Sequence, residues 1–318
     1  MVKRVQLLFL LVISFVLTGC TEERFPAVNP QQSFVAAVNI LEPSLQFFDE
    51  DGEILSEWLF DQAYTGAALV GDNRVIVYGH QLEQARLYEL SSGKLLTELR
   101  VEIGTTNAYY DAASDKLFLT NSKTNALSRY AADGKFEQSV KLRNYPMAMT
   151  IAQGKLYVVN YKDTVLSVVN SETLEVLEEW PIVKSSNGLL YNEEKQQLWL
   201  GGHGEGETSN AYVTAYDLHG QQVQKIHAPL MPVAFSKQDD TIAIISHGTN
   251  MLYITDAEGH AKWSLEIAAN PFAVTHFADY LIVAGYDDQS LYFIKDGDVV
   301  KTVPTQKGPF QLLVREAS

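Results

Sequence analysis

Cysteine is almost absent from this chain: of 318 residues, only Cys20 carries a thiol. Everything after it must therefore fold without disulfides and without a cysteine-held metal. Positive charge is scarce too, with 24 Lys and Arg against 39 Asp and Glu. So acidic a surface repels phosphate backbones and anionic headgroups, which excludes nucleic acid as a partner. The sequence contains no H-x-H or H-E-x-x-H spacing and no G-x-S-x-G elbow. Zinc-protease and serine-hydrolase chemistry of those kinds has no support. The Asp-Gly pairs lack the dense Asp/Asn alternation of a calcium loop. No metal and no cofactor is expected. Stability must come from an apolar core, and 46% hydrophobic residues supply one. A chain of this size buries about three-quarters of its unfolded surface.

What is present begins with an export pattern. Lys3 and Arg4 precede an apolar stretch at 7–17, which closes on Leu17-Thr18-Gly19-Cys20. Basic residues, a short apolar run and small residues before a cut are the order of a signal peptide. The run falls short of the roughly 18–20 residues of a spanning helix. The last four residues resemble the bacterial lipobox, in which the cysteine is diacylated and the chain is cut before it. That resemblance implies residues 1–19 as signal peptide, a lipid on Cys20, and a membrane as partner through that anchor. Without Lys3 and Arg4 the balance is 22 basic against 39 acidic residues, a net of −17. Attachment then depends on lipid, and stable anchoring takes about two acyl chains. Residues 20–33, with two prolines and no apolar period, read as the lipidated cysteine and a tether.

From residue 34 to the end, a repeat governs the chain. Seven short apolar runs end in a small or amide residue: 34–39 (FVAAVN), 74–79 (RVIVYG), 116–121 (KLFLTN), 155–160 (KLYVVN), 197–202 (QLWLGG), 241–246 (TIAIIS) and 280–285 (YLIVAG). Their length, β-branched and aromatic content and flanking turn residues predict strands. Most precede a polar loop and a second such run, as at 166–169 and 290–294. Hairpin pairs then recur at Asp51-Gly52, Ser92-Gly93, Asp133-Gly134, His219-Gly220, Glu258-Gly259 and Asp296-Gly297. Their glycines stand 41, 41, 86, 39 and 38 residues apart, and the double step spans a turn at 170–173. Four strands at a period near 40 make the blade of a propeller.

Several units open on a further run behind a proline, at 146–150 (PMAMT), 232–235 (PVAF) and 271–274 (PFAV). Residues 308–314 (GPFQLLV) repeat that opening strand, whereas the unit starting at Phe34 has none of its own. The sequence thus predicts an all-β, seven-bladed β-propeller over 34–318, closed by its C-terminal strand, which hides two sheet edges. Residues 156–160 (LYVVN), 164–170 (TVLSVVN), Thr173 and 176–182 resemble the YVTN-type β-propeller repeat. Only the fourth unit matches closely, with weaker echoes such as 117–121 (LFLTN). The resemblance implies a seven-bladed, usually non-catalytic, often exported protein.

In such a ring the loops after second strands share a face with the segments leading into each blade. His80, His203 and His247 follow second strands there, with Asn121, Asn160, Tyr161, Lys162 and Tyr286. Tyr109, Tyr110 and Tyr145 are expected on the same side, and the acidic tips 49–51, 193–194 and 239–240 on the other. Residues 201–210 (GGHGEGETSN) interrupt the rhythm as a glycine-rich candidate recognition loop. The candidate binding face is His80, Asn121, Asn160, Tyr161, His203, His247 and Tyr286, with no catalytic residue assigned.

Two functions compete. A binding or scaffold lipoprotein would use this face to hold a protein or small ligand, lipid-anchored outside the cytoplasmic membrane or in the outer membrane. A lactonase-like hydrolase is the alternative, by family analogy. It wants a glutamate, asparagines and an aspartate facing the channel, where the opening strands offer mainly apolar residues plus Asn107, Asn187, Gln311 and His276. A quinone-cofactor propeller wants regular tryptophan motifs that Trp58, Trp180, Trp199 and Trp263 do not supply.

Overall fold

The computed structural model describes residues 23–205 and 208–317. The signal segment and Cys20 lie outside them. Seven antiparallel four-stranded sheets make up the body. In six of them the strands follow chain order, from 66–100 in blade two to 271–304 in blade seven. Blade one is built from both ends of the domain. Phe34–Asn39, Ser44–Phe48 and Ile54–Leu59 supply its outer strands, and Pro309–Arg315 its inner one. Val35 pairs with Val314 and Ala37 with Leu312, so closure is by hydrogen bonding as the sequence predicts.

The second strands are continuous apolar runs because neighbouring blades cover both of their faces. Phe34–Asn39 is buried along its whole length, as are the last five residues of Lys155–Asn160 and of Gln197–Gly202. The outermost strands meet solvent, and Phe136–Lys141 is exposed almost throughout. Between blades one and two the core is aromatic: Phe34, Phe47, Trp58 and Tyr88 are fully buried. Side chains of this size contribute roughly 1.5–3 kcal/mol each by burial. The hairpin glycines all have positive φ, from 67° at Gly93 to 89° at Gly134. In blade four the turn instead places Leu174 at φ 57°. There the Asn170 carboxamide oxygen accepts from the amides of Glu172 and Thr173, which fixes the turn without a glycine.

Residues 23–33, read from the sequence as a tether, lie docked on the ring. Phe25 donates its backbone amide to the Gly93 carbonyl (2.8 Å) and Val28 donates to Leu90 (2.8 Å). The Pro26 carbonyl accepts from the Trp58 indole (2.8 Å), and the Glu23 carboxylate takes Arg86 (2.9 Å) and the Tyr88 hydroxyl (3.0 Å). The physical reason is a pair of lone apolar residues. Phe25 enters the aromatic seam and Val28 is buried, while Pro26 and Ala27 between them are exposed. We call this segment the strap.

Candidate functional site

Antiparallel order puts the loops after second strands and the segments between blades on one face, the loop face. The hairpins of the first and second, and third and fourth, strands occupy the other. Asp49, Glu50, Asp51, Glu193, Glu194, Asp239 and Asp240 fall on this second face, at the tips. Tyr109 and Tyr110 do not lie on the loop face as expected. The inner strand Thr105–Asp111 enters from that face, so its last residues reach the far side, where the Tyr110 hydroxyl donates to Asp115 (2.8 Å).

The candidate residues separate into three groups. His80 sits between blades two and three, with its Nε2 3.1 Å from the Ser122 hydroxyl and its Nδ1 3.2 Å from the Gln81 amide. Tyr161 faces Tyr145 at the loop end of blade four, ring centroids 6.0 Å apart, and Lys162 lies 4.6 Å over the Tyr145 ring. The third group is the largest. His203 and His247 meet edge to face at 5.7 Å, and His247 packs on Phe272 at 4.5 Å. Phe272 in turn touches Tyr286 (5.4 Å) and Phe310 (5.0 Å). This crescent draws on blades five, six, seven and one. It continues to Leu41, whose side chain is more than half exposed.

Asn121 and Asn160 point inward instead. The Asn121 carboxamide donates to the Glu102 carbonyl (2.6 Å) and accepts from the amides of Lys123 and Thr124 (2.9 Å each). Asn160 is fully buried and donates to the Val165 carbonyl (3.1 Å) and Ser167 hydroxyl (2.9 Å). Both shape the loop behind their strand, as Asn39 does toward Ser44 and Gln46 in blade one. That need explains why these strands end in an amide.

Burial pushes the His203 imidazole below its ordinary value. His247 is lowered by burial and then by His203, with Asp287 pulling weakly the other way. Both rings are therefore uncharged at neutral pH, and each keeps a buried Nδ1 without a hydrogen-bond partner. Among the described residues no group of three or more His, Cys, Asp or Glu is placed to share a metal. In the candidate recognition loop, Gly204–Glu205 pairs with Thr208–Ser209 as a small extra hairpin, and Lys184 holds Glu205 at 2.7 Å.

Inside the crescent lies the mouth of the central channel, a cavity of about 310 Å³. One residue from each inner strand region rings it: Thr65, Thr106, Met147, Asn187, Val233, Phe272 and Phe310. In six blades that residue lies in a β-bulge, where the pairing register skips, as between Pro271 and Ala273. A bulge re-aims a side chain that regular pairing would direct elsewhere. The residue before each of these bulged strands has positive φ: Gly104, Tyr145, Ser185, Met231, Asn270 and Gly308. For the four non-glycines that conformation costs roughly 1–2 kcal/mol apiece, and the packed ring maintains it. Phe272 and Phe310 escaped the sequence reading as site residues because they look like core strand residues. The repeated proline just before each was the available signal.

No family model matches this chain, and no curated protein matches it. Its likeness to solved structures is one of shape. A functionally unknown protein from Desulfotomaculum acetoxidans superposes with a TM-score of 0.75 over 90% of this chain and 100% of its own, at 10% identity. Hydrazine synthase from Kuenenia stuttgartiensis gives 0.72 over 90% and 99%, at 13% identity. BamB from Moraxella catarrhalis gives 0.61 over 92% and 89%, at 10% identity. Identities this low carry fold and nothing finer.

Proposed function

We propose that this chain is an exported lipoprotein, acylated at Cys20, whose YVTN-type propeller is a binding or scaffold module for a protein or small ligand. It would work outside the cytoplasmic membrane or at the outer membrane, with the loop face as its contact surface. One observation carries the choice of face. His203, His247, Phe272, Tyr286 and Phe310 converge there from four blades as a half-open aromatic crescent. Aromatic anchors in well-packed surroundings dominate interface energies. The lactonase-like reading would need a carboxylate at the channel mouth. The lining offers amides, hydroxyls and apolar groups, which favours binding over hydrolysis.

Two experiments test the proposal. In native cells, crosslinking a tagged chain should capture a partner. Replacing Tyr161 and Tyr286 with alanine should weaken capture about tenfold, about 1.4 kcal/mol, with little change in melting. Asp239→Ala with Asp240→Ala should do neither, and loss of capture only from that acidic pair overturns the choice of face. Separately, Cys20→Ser should leave the chain unacylated and uncut. Equal mature masses, apart from the one-atom substitution, overturn the lipid anchor.

A further inference from the structure

The ring of bulge residues is neutral in a protein that is anything but. Among the described residues, the cavity at the channel mouth is lined by Thr65, Thr106, Asn107, Met147, Ala148, Asn187, Val233, Phe272, Phe310 and Gln311 over Tyr78, with no Asp, Glu, Lys or Arg. Elsewhere one residue in five is charged. A channel that only had to be filled with solvent would need no such exclusion. A channel that had to attract an ion would carry the opposite charge.

The aromatic part of the lining is also concentrated. Val233, Phe272 and Phe310 come from the consecutive blades six, seven and one, and they form an apolar arc. Phe272 is held from behind by His247 and from the side by Tyr286, so its ring is fixed before anything binds. The rest of the lining is Met147 and Ala148 from blade four together with hydroxyl and amide groups from blades one, two, three and five. Most of these are already engaged. Thr106 donates to the Pro146 carbonyl (2.7 Å), Thr65 accepts from the His80 amide (3.0 Å), and Gln311 bridges both backbone groups of Ala67. Asn187 differs: its carboxamide oxygen is buried and has no hydrogen-bond partner. The Asn187 side chain lines the cavity but its oxygen is closed to solvent, so a donor there meets it only once the carboxamide turns about χ2. An unpaired buried acceptor costs about 1–3 kcal/mol, which that turn toward a donor would relieve. The floor is set by Tyr78, whose ring fits only because residue 66 is glycine. A Cβ there would come within 2.3 Å of it.

We propose that the channel mouth binds a small uncharged aromatic molecule that stacks on Phe272 and Phe310 and donates an O–H or N–H to Asn187. The proposal rests on the loop face being the binding face and names the chemistry of what enters it. The cavity lies at the small end of ligand sites, which run from about 300 to 1,000 Å³. It therefore suits a single ring system with short substituents.

Titration calorimetry on the full chain tests this with three probes of one size: 4-methylphenol, benzoate and benzylammonium. The acidic surface attracts the cation, so a preference for the neutral phenol reports the lining rather than long-range charge. The phenol should bind at least about tenfold more tightly than either ion, a gap of about 1.4 kcal/mol. Phe272→Leu and Asn187→Leu should each weaken it about five- to tenfold with melting curves unchanged, and Phe310→Leu should follow Phe272→Leu. Binding of benzylammonium as tightly as the phenol overturns the proposal. So does a phenol affinity that the variants leave untouched, or none at millimolar probe. A chain that fails here yet still captures a partner through Tyr161 and Tyr286 retains the scaffold function. One that binds the phenol but captures nothing loses it.

Discussion

Phe25 stacks on Trp58 with ring centroids 5.0 Å apart and planes 13° from parallel, while Phe60 and Tyr88 meet the Phe25 ring edge-on at 5.1 and 5.4 Å. A residue ahead of the first strand thus completes the aromatic seam between blades one and two. Phe→Ala in a core costs about 3–5 kcal/mol, and this ring is only partly buried. Phe25→Ala should therefore destabilise by about 1–3 kcal/mol, lowering the melting temperature and exposing Trp58 to fluorescence quenchers. An unchanged melting curve would mean the strap lies on the ring without supporting it.

Gly93 offers a sharper test of the same contact. Its φ is +67°, and a Cβ there would stand 1.8 Å from the Phe25 carbonyl oxygen. Gly297 has φ +88° with nothing near its missing Cβ. Gly297→Ala should cost only the left-handed conformation, about 1–2 kcal/mol. Gly93→Ala carries that penalty and also displaces the strap. Proteolysis near Phe25 should rise in the second variant alone.

Ring closure depends on the last strand and on the residue that ends it. Arg315 donates to the carbonyls of Asn29 (2.5 Å), Gln32 (2.7 Å) and Asp72 (3.0 Å), and its guanidinium lies 4.5 Å over the Phe34 ring. Deleting residues 307–318 removes all of this and bares the edge of Phe34–Asn39. Folded domains have only about 5–15 kcal/mol of stability, so the truncated chain should melt far lower as a whole and aggregate. Arg315→Met should show a milder loss, and a truncation that leaves the melting temperature in place would locate closure elsewhere.

Acid should weaken the fold through a half-buried histidine. His276 donates its backbone amide to the Ser236 hydroxyl (3.1 Å), whose oxygen lies 2.8 Å from the ring Nδ1. That hydroxyl can donate back only to an unprotonated nitrogen. Burial lowers the His276 pKa to about 4, with Asp239 opposing the shift. The unfolded chain takes its proton near pH 6.5, so this contribution is complete above that pH. It is lost as pH falls toward 4, at up to about 1.4 kcal/mol per unit. His203 and His247 act in the same direction. His276→Asn should flatten the melting temperature between pH 6.5 and 4.5, and a parallel curve would assign the acid response to other groups.

The second strands were legible because burial on both faces leaves no polar positions. The pattern at 116–121 or 241–246 coincides with the observed strand to the residue. Outer strands such as Phe136–Lys141 were not, since their exposed side chains carry little apolar signal. The bulges that aim Thr106, Asn187 and Phe272 into the mouth exist only relative to a paired strand, so no local pattern records them. Tyr109 and Tyr110 were placed on the wrong side because a seven-residue strand carries its end across the whole ring. Phe25 and Val28 showed no period to read, as two isolated anchors need none.

The strap also has a mechanical meaning. Tension applied at Glu23 runs first into the hydrogen bonds that Phe25 and Val28 make to Gly93 and Leu90, all in blade two. Only after those yield does load reach Phe34–Asn39, where the chain's two ends are zipped together. A pull on the amino end thus meets a covalently continuous blade, and the Trp58 side chain beside it, before it reaches the closing seam.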